Sequence, residues 1–115
     1  MIRRKNDREV EVRQHMRGGA GAVTVRHYFK PEEIKAATRL CAELLLPPGT
    51  DIGLHDHVEE DEIYIIQKGH GLMTDGDKKF TVEAGDAILT GQGSSHSIKN
   101  TGDEDLVITA VIIKY

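Results

Sequence analysis

The chain has 115 residues, 38% of them hydrophobic and 30% charged, with a formal net charge of -4 at pH 7. That is enough chain to enclose one sizeable core and too little for two, so a single globular domain is expected. The balance supplies no basic field for nucleic acid, and no apolar run approaches the ~20 residues of a membrane span, which argues against both as partners.

In chain order, Arg3, Arg4, Lys5 and Arg8 come first, interleaved with Asp7 and Glu9. Charges with no apolar segment behind them do not resemble a secretory leader, so a solvated arm on a cytoplasmic protein is expected. Gly18-Gly19-Ala20-Gly21 has neither the lysine nor the following helix of a phosphate loop and reads as a turn. Residues 1–22 are assigned to the arm and a first strand. Val23-Thr24-Val25 is β-prone. The one credible helix is a turn or two at Pro31, where proline suits the first position and Glu32 and Glu33 suit the dipole.

Short β-prone runs then follow at Leu44-Leu45-Leu46, Ile63-Tyr64-Ile65-Ile66 and Leu106-Val107-Ile108, separated by glycine-, proline- and aspartate-rich breaks. From Pro47 onward the breaks come every ~8–15 residues, the cadence of a sandwich or barrel. The single Cys41, flanked by Leu40 and Ala42, has no partner for a disulfide and reads as an inert thiol. In the last run, side chains alternate at period two, so Leu106, Ile108, Ala110 and Ile112 share one face and Val107, Thr109, Val111 and Ile113 the other. Both faces are apolar. A lone barrel should wet its outside, so a homodimer covering the second face is expected.

The chemistry is concentrated in two segments. In the first, His55 and His57 lie two apart on a strand and so project from one face. Glu62 follows at an odd offset, so the acidic stretch from Val58 to Asp61 must turn the chain, and Glu62 opens the next strand with Tyr64 and Ile66 on its face. In the second, His96 leaves the glycine-rich turn Gly91-Gln92-Gly93 into a β-prone stretch. Three neutral imidazoles and one carboxylate suit one divalent ion such as Mn, Fe, Co, Ni or Zn.

These segments resemble the two motifs of the cupin superfamily. The first matches G-x5-H-x-H-x4-E-x6-G through Gly49, His55, His57, Glu62 and Gly69. The second matches G-x5-P-x-G-x2-H-x3-N through Gly85, Gly93, His96 and Asn100, with Gly91 where the family usually has proline, an exchange that frees φ and loosens the turn. The resemblance implies an all-β jelly-roll barrel over residues 23–115, motifs at 49–69 and 85–100, and a metal held inside by His55, His57, Glu62 and His96. His15, His27 and His70 have no such partners and read as structural or solvated. Ser94 and Ser95 suit turn hydrogen bonds.

Two further residues are pocket candidates. Glu43 interrupts an apolar run and either reaches into the barrel as an acid or base or pairs with a Lys or Arg at a subunit boundary. Tyr64 shares the face of Glu62. A metal held this way keeps a net positive charge, which favours a small anionic or oxygen-rich ligand, a carboxylic acid or sugar derivative. The superfamily includes dioxygenases, isomerases and epimerases, lyases, decarboxylases and non-catalytic sensor or storage proteins, so the fold leaves open both the reaction type and whether the chain is an enzyme or a binding module.

Overall fold

Alternating side chains demand two sheets facing one core, and the computed structural model, which describes all 115 residues, has that arrangement. Its strands are β1 (Glu9–Gln14), β2 (Ala22–His27), β3 (Thr38–Leu46), β4 (Asp51–Asp56), β5 (Glu60–Lys68), β6 (His70–Asp75), β7 (Lys78–Glu83), β8 (Ala87–Gly91), β9 (Ser95–Asn100) and β10 (Leu106–Lys114). One sheet has six strands in the order β1-β2-β3-β10-β5-β8, and the other has four in the order β4-β9-β6-β7. Every pairing is antiparallel. The fold is an all-β jelly roll. No helix is long and apolar enough to cross a membrane.

The core lies between the sheets. Leu40, Ala42, Leu44 and Leu46 of β3 and Leu106, Ile108, Ala110 and Ile112 of β10 face Ile52, Met73, Val82 and Ile98 of the smaller sheet. This is the alternation read from the last strand, with all four of its expected inward residues buried. Register matters for size as well as polarity. Ala110 lies opposite both Ala42 and Tyr64, so two small side chains flank the tyrosine ring and make room for it in the barrel.

The outer face of β10 is partly covered by the chain itself. Tyr28, just after β2, places its hydroxyl 3.1 Å from Thr109 Oγ1, and Gln67 donates to the same oxygen at 3.2 Å. Ile65, Leu89 and Ile113 stay exposed on that side of the sheet.

Two expectations change. The helix at Pro31 is a single 3-10 turn, Pro31–Glu33, and two more such turns, Lys5–Asp7 and Met16–Gly18, occur in the N-terminal region. The N-terminal basic residues do not all lie in solvent. The Arg8 side chain is buried, with its guanidinium 5.5 Å from the Tyr28 ring centroid and 3.3 Å from Glu43. Spacing showed the mixed charges of this segment but not that a carboxylate on β3 stood ready for one of them.

Asn100 closes the loop between β9 and β10. Its Nδ2 donates to Leu46 O at 2.8 Å and Glu104 O at 2.7 Å, while Oδ1 accepts from Gly102 N at 2.9 Å. The residue is buried, so its removal strands backbone groups away from water. Asn100→Ala is expected to lower stability by about 1–3 kcal/mol in denaturant melts while the metal content of the purified protein stays at the parental level.

Candidate metal centre and anion pocket

The four donors arrive from three places in the barrel. His55 on β4 sits directly opposite His96 on β9, and Glu62 is the third residue of β5. Ile52 and His55 both face inward although three residues apart, because β4 bulges between them. His57 follows the end of β4 and remains tied to the opposite chain, its N–H donating to Ser94 O at 3.0 Å and its carbonyl accepting from Gly93 N at 2.8 Å. Glu59 turns the chain with φ 56°, after which Glu62, Tyr64 and Ile66 point inward, as the odd offset required.

The ligating atoms of His55, His57, Glu62 and His96 lie within 4.8 Å of one another. His96 Nε2 is 2.9 Å from His57 Nε2 and 3.0 Å from His55 Nε2. Glu62 Oε1 is 2.9 Å from the Nε2 atoms of both His57 and His96. Despite that closeness, Glu62 Oε1 is buried and aligned for no hydrogen bond. The other imidazole nitrogens are engaged elsewhere. His55 Nδ1 donates to Gly53 O at 2.6 Å, His57 Nδ1 donates to Glu60 Oε1 at 2.7 Å, and His96 Nδ1 lies 3.0 Å from Thr90 Oγ1. Such bonds leave Nε2 as the free lone pair and aim it inward. Donors ~2.1 Å from a shared ion stand roughly 3.0–3.4 Å apart at right or tetrahedral angles, so the spacing fits a bound cation.

Burial and neighbouring charge act differently on these groups. Burial pushes His55 down to about 4, keeping it neutral and able to donate its lone pair at physiological pH. Burial also opposes charge on His57, but the carboxylates of Glu62 and Glu60 outweigh it and raise its pKa. Burial opposes charge on Glu62 as well, yet the neighbouring imidazoles of His57 and His96 bring it down to about 2, so it is a carboxylate. Glu60 is held at about 2, chiefly by Arg39, which grips it through Nε at 2.9 Å and Nη2 at 2.7 Å.

Tyr64 lies against the centre, its ring stacked on His96 at 5.1 Å between centroids. Its hydroxyl is raised well above the ordinary phenol range by burial and then by Glu62, so it stays protonated. Glu43 lies elsewhere. It points to the outer face of β3, where its carboxylate meets Arg26 at 3.0 Å and Arg8 at 3.3 Å. The pairing with arginine was one of the two readings of this residue, and the reach into the barrel is not what the structure has, because inward positions on β3 are the even-numbered ones. His27 is buried against Glu11 at 2.9 Å, and His15 and His70 stand outside the cluster.

Beside the four donors a cavity of about 340 Å³ opens, lined by His55, His57, Glu62 and Tyr64 and also by Arg13, His15, Arg17 and Arg39. Sequence spacing did not reveal these arginines or Glu60, since they come from β1, from the 3-10 turn Met16–Gly18, from β3 and from β5. Where the family usually has proline, the Asp61 carboxylate occupies the space a side chain at Gly91 would need. The Tyr115 hydroxyl donates to Asp61 and accepts from Gln92 N, while Tyr115 N donates to Glu59 O at 3.0 Å. The lost proline is thus offset by a brace from the end of β10.

Fold and site together define a cupin, and the comparisons agree: the cupin domain family matches residues 42–112, so the chain belongs to that family. It is 43% identical over 113 residues to an oxalate-binding protein of Thermotoga maritima, covering 98% of this chain and 93% of the relative. A crystal structure of a predicted oxalate decarboxylase from Thermotoga maritima superposes with a TM-score of 0.95 at 43% identity, covering 100% of both chains. A cupin 2 conserved barrel domain protein from Rhodopseudomonas palustris shares the fold at a TM-score of 0.76 and 16% identity, over 93% of this chain and 71% of that one.

The Arg39–Glu60 pair makes the metal-free protein sensitive to acid. A carboxylate whose folded pKa is depressed contributes stability that is complete above its ordinary pKa of 4.5 and is lost as pH falls through about 2. The urea midpoint of the metal-free protein should therefore fall across that window. In Arg39→Met it should fall less steeply, because the largest cause of the shift is gone.

Proposed function

We propose that this cupin binds a small dicarboxylate, oxalate foremost, on a divalent metal ion held by His55, His57, Glu62 and His96. One observation carries the reading: the cavity beside the four-donor centre is also lined by three arginines, so a ligand entering it meets cationic side chains as well as the centre. A carboxylate is the group that both would recognise, since hard oxygen donors suit the ion and planar forks suit guanidinium. The oxalate named for the Thermotoga maritima relative is the smallest ligand with a carboxylate at each end.

The chain's own residues bind and orient. His55, His57, Glu62 and His96 would hold the ion, which supplies a Lewis acid that polarises the carboxylate placed against it. Tyr64 walls the site on the core side and keeps its proton. Arg13, Arg17 and Arg39 line the cavity, the first and last of them already paired with Glu11 and Glu60. Glu62, which the ion would occupy, is the only carboxylate in the cavity lining, and the Tyr64 hydroxyl is held too high to ionise, so His15 is the one lining group beside the donors that could take a proton. With a single imidazole and no free carboxylate there, binding is the first reading and turnover the second. A second reading, decarboxylation, is kept by the likeness to the predicted oxalate decarboxylase.

Calorimetry with metal-loaded protein and oxalate separates these readings from failure of both. Binding without release of carbon dioxide is the expected result, release would favour the decarboxylase, and no binding would remove the dicarboxylate altogether. Stripping the ion with a chelator should abolish binding yet leave the β signal in circular dichroism, because the apolar core between the sheets packs without an ion. His57→Ala should do the same. Collapse of the β signal on chelation would mark the metal as structural instead.

We also propose a homodimer formed over the outer face of the larger sheet. Supporting it are exposed Ile65, Leu89 and Ile113 on that face and exposed Val10 and Val12 on the edge strand β1, apolar groups that would gain roughly 25 cal/mol per Å² on burial. Light scattering at micromolar concentration should give twice the mass of the chain, and a monodisperse monomer would rule the dimer out.

A further inference from the structure

We infer that Arg17 is the specificity-determining residue of this pocket, the side chain that grips the far carboxylate and so selects dianions over monoanions. The inference rests on the dicarboxylate reading above.

The three cavity arginines are not equivalent. Arg13 is paired with Glu11 and Arg39 with Glu60, so each brings a charge already balanced by a carboxylate. The chain's other arginine ion pairs engage Arg3, Arg8 and Arg26, and Arg17 takes part in none. Arg17 is exposed and lines the cavity, and no side chain or backbone group of the chain engages its donors. The charge count then favours one ligand class. A divalent ion less the Glu62 carboxylate leaves one positive charge, Arg17 adds a second, and a dicarboxylate cancels both.

The backbone holds Arg17 in place. Its φ of 54° and ψ of 32° lie in the left-handed region, where glycine is at ease and arginine is not. His15, two residues before, has φ 49°. The turn is closed by Gly18 N donating to His15 O at 2.9 Å and Gly19 N to Met16 O at 3.0 Å, and it is anchored to β4 by Asp51 N donating to Ala20 O at 3.0 Å. Its seat is Gly53 at the β4 bulge, where a side chain would come within 2.0 Å of Arg17 O. A strained residue fixed at a cavity mouth is a mark of a position kept for its side chain. Since β4 also carries His55, the same strand sets both the ion's donor and the arginine's anchor.

The test substitutes Arg17→Gly and Arg17→Lys in the full chain, loaded with metal, and measures oxalate and glyoxylate affinity by calorimetry. Glyoxylate has the same carbon skeleton with one carboxylate. Glycine removes the guanidinium but suits the left-handed backbone, so the thermal midpoint without ligand and the metal content should not fall. Oxalate affinity should drop by about 10- to 100-fold, the worth of a charge-assisted fork, while glyoxylate affinity changes by less than about threefold. Lysine should fall between, keeping charge and losing the fork. Unchanged oxalate affinity in Arg17→Gly would overturn the inference and leave the dicarboxylate reading standing. Equal losses for both ligands would also overturn it, showing a general charge effect. If the parent protein binds no oxalate, the functional reading falls and takes the inference with it.

Discussion

Three imidazole lone pairs and a carboxylate oxygen, brought within about 3 Å of their neighbours at the wall of a cavity, repel one another, and the barrel has to hold them there. It does so by occupying the far side of each ring. A backbone carbonyl, a glutamate and a threonine hydroxyl take up the three Nδ1 atoms, so no ring can swing away without losing a hydrogen bond. A cation placed among the four would turn repulsion into attraction.

That arrangement depends on sheet geometry more than on any one loop. The direct opposition of His55 and His96 across β4 and β9 fixes one pair, and the bulge in β4 supplies the half-turn that keeps both Ile52 and His55 inward. Further inside, Ala42 and Ala110 leave the volume that Tyr64 fills, and the tyrosine ring in turn lies against His96. Core packing and donor placement are therefore linked through one aromatic side chain. A change in volume near Ala110 would be felt at the centre although no donor is altered.

Much of this was legible in the sequence. Period-two alternation gave the inward residues of β10, and the odd offset from His57 to Glu62 gave the need for a turn, because strand geometry leaves a side chain only two directions. The spacing of Gly49, His55, His57, Glu62 and Gly69 carried the family. What it could not carry was proximity between distant segments. Glu60 reads as one acid among several until the fold sets it between Arg39 and His57. Arg13 and Arg17 lie near the start of the chain, and only the pairing of β1 with β2 and the seating of the next turn on Gly53 bring them to the cavity. Glu43 was ambiguous for the converse reason, since its strand was recognised but which of the two faces it took depended on partners in Arg8 and Arg26.

Tyr115 ties together two turns that are far apart in the chain. Through its N–H it holds Glu59, at the bend that delivers Glu62, and through its hydroxyl it holds Gln92, at the bend that delivers His96. The residue is largely exposed, so this clasp sits outside the barrel while both donors it steadies sit inside. A single proteolytic cut just before Tyr115 would leave every donor, every pocket residue and the whole core intact, yet unfasten the two bends at once. The centre of this cupin thus has a latch on its surface: the bends that deliver two of its donors are fastened by a residue that touches neither of them.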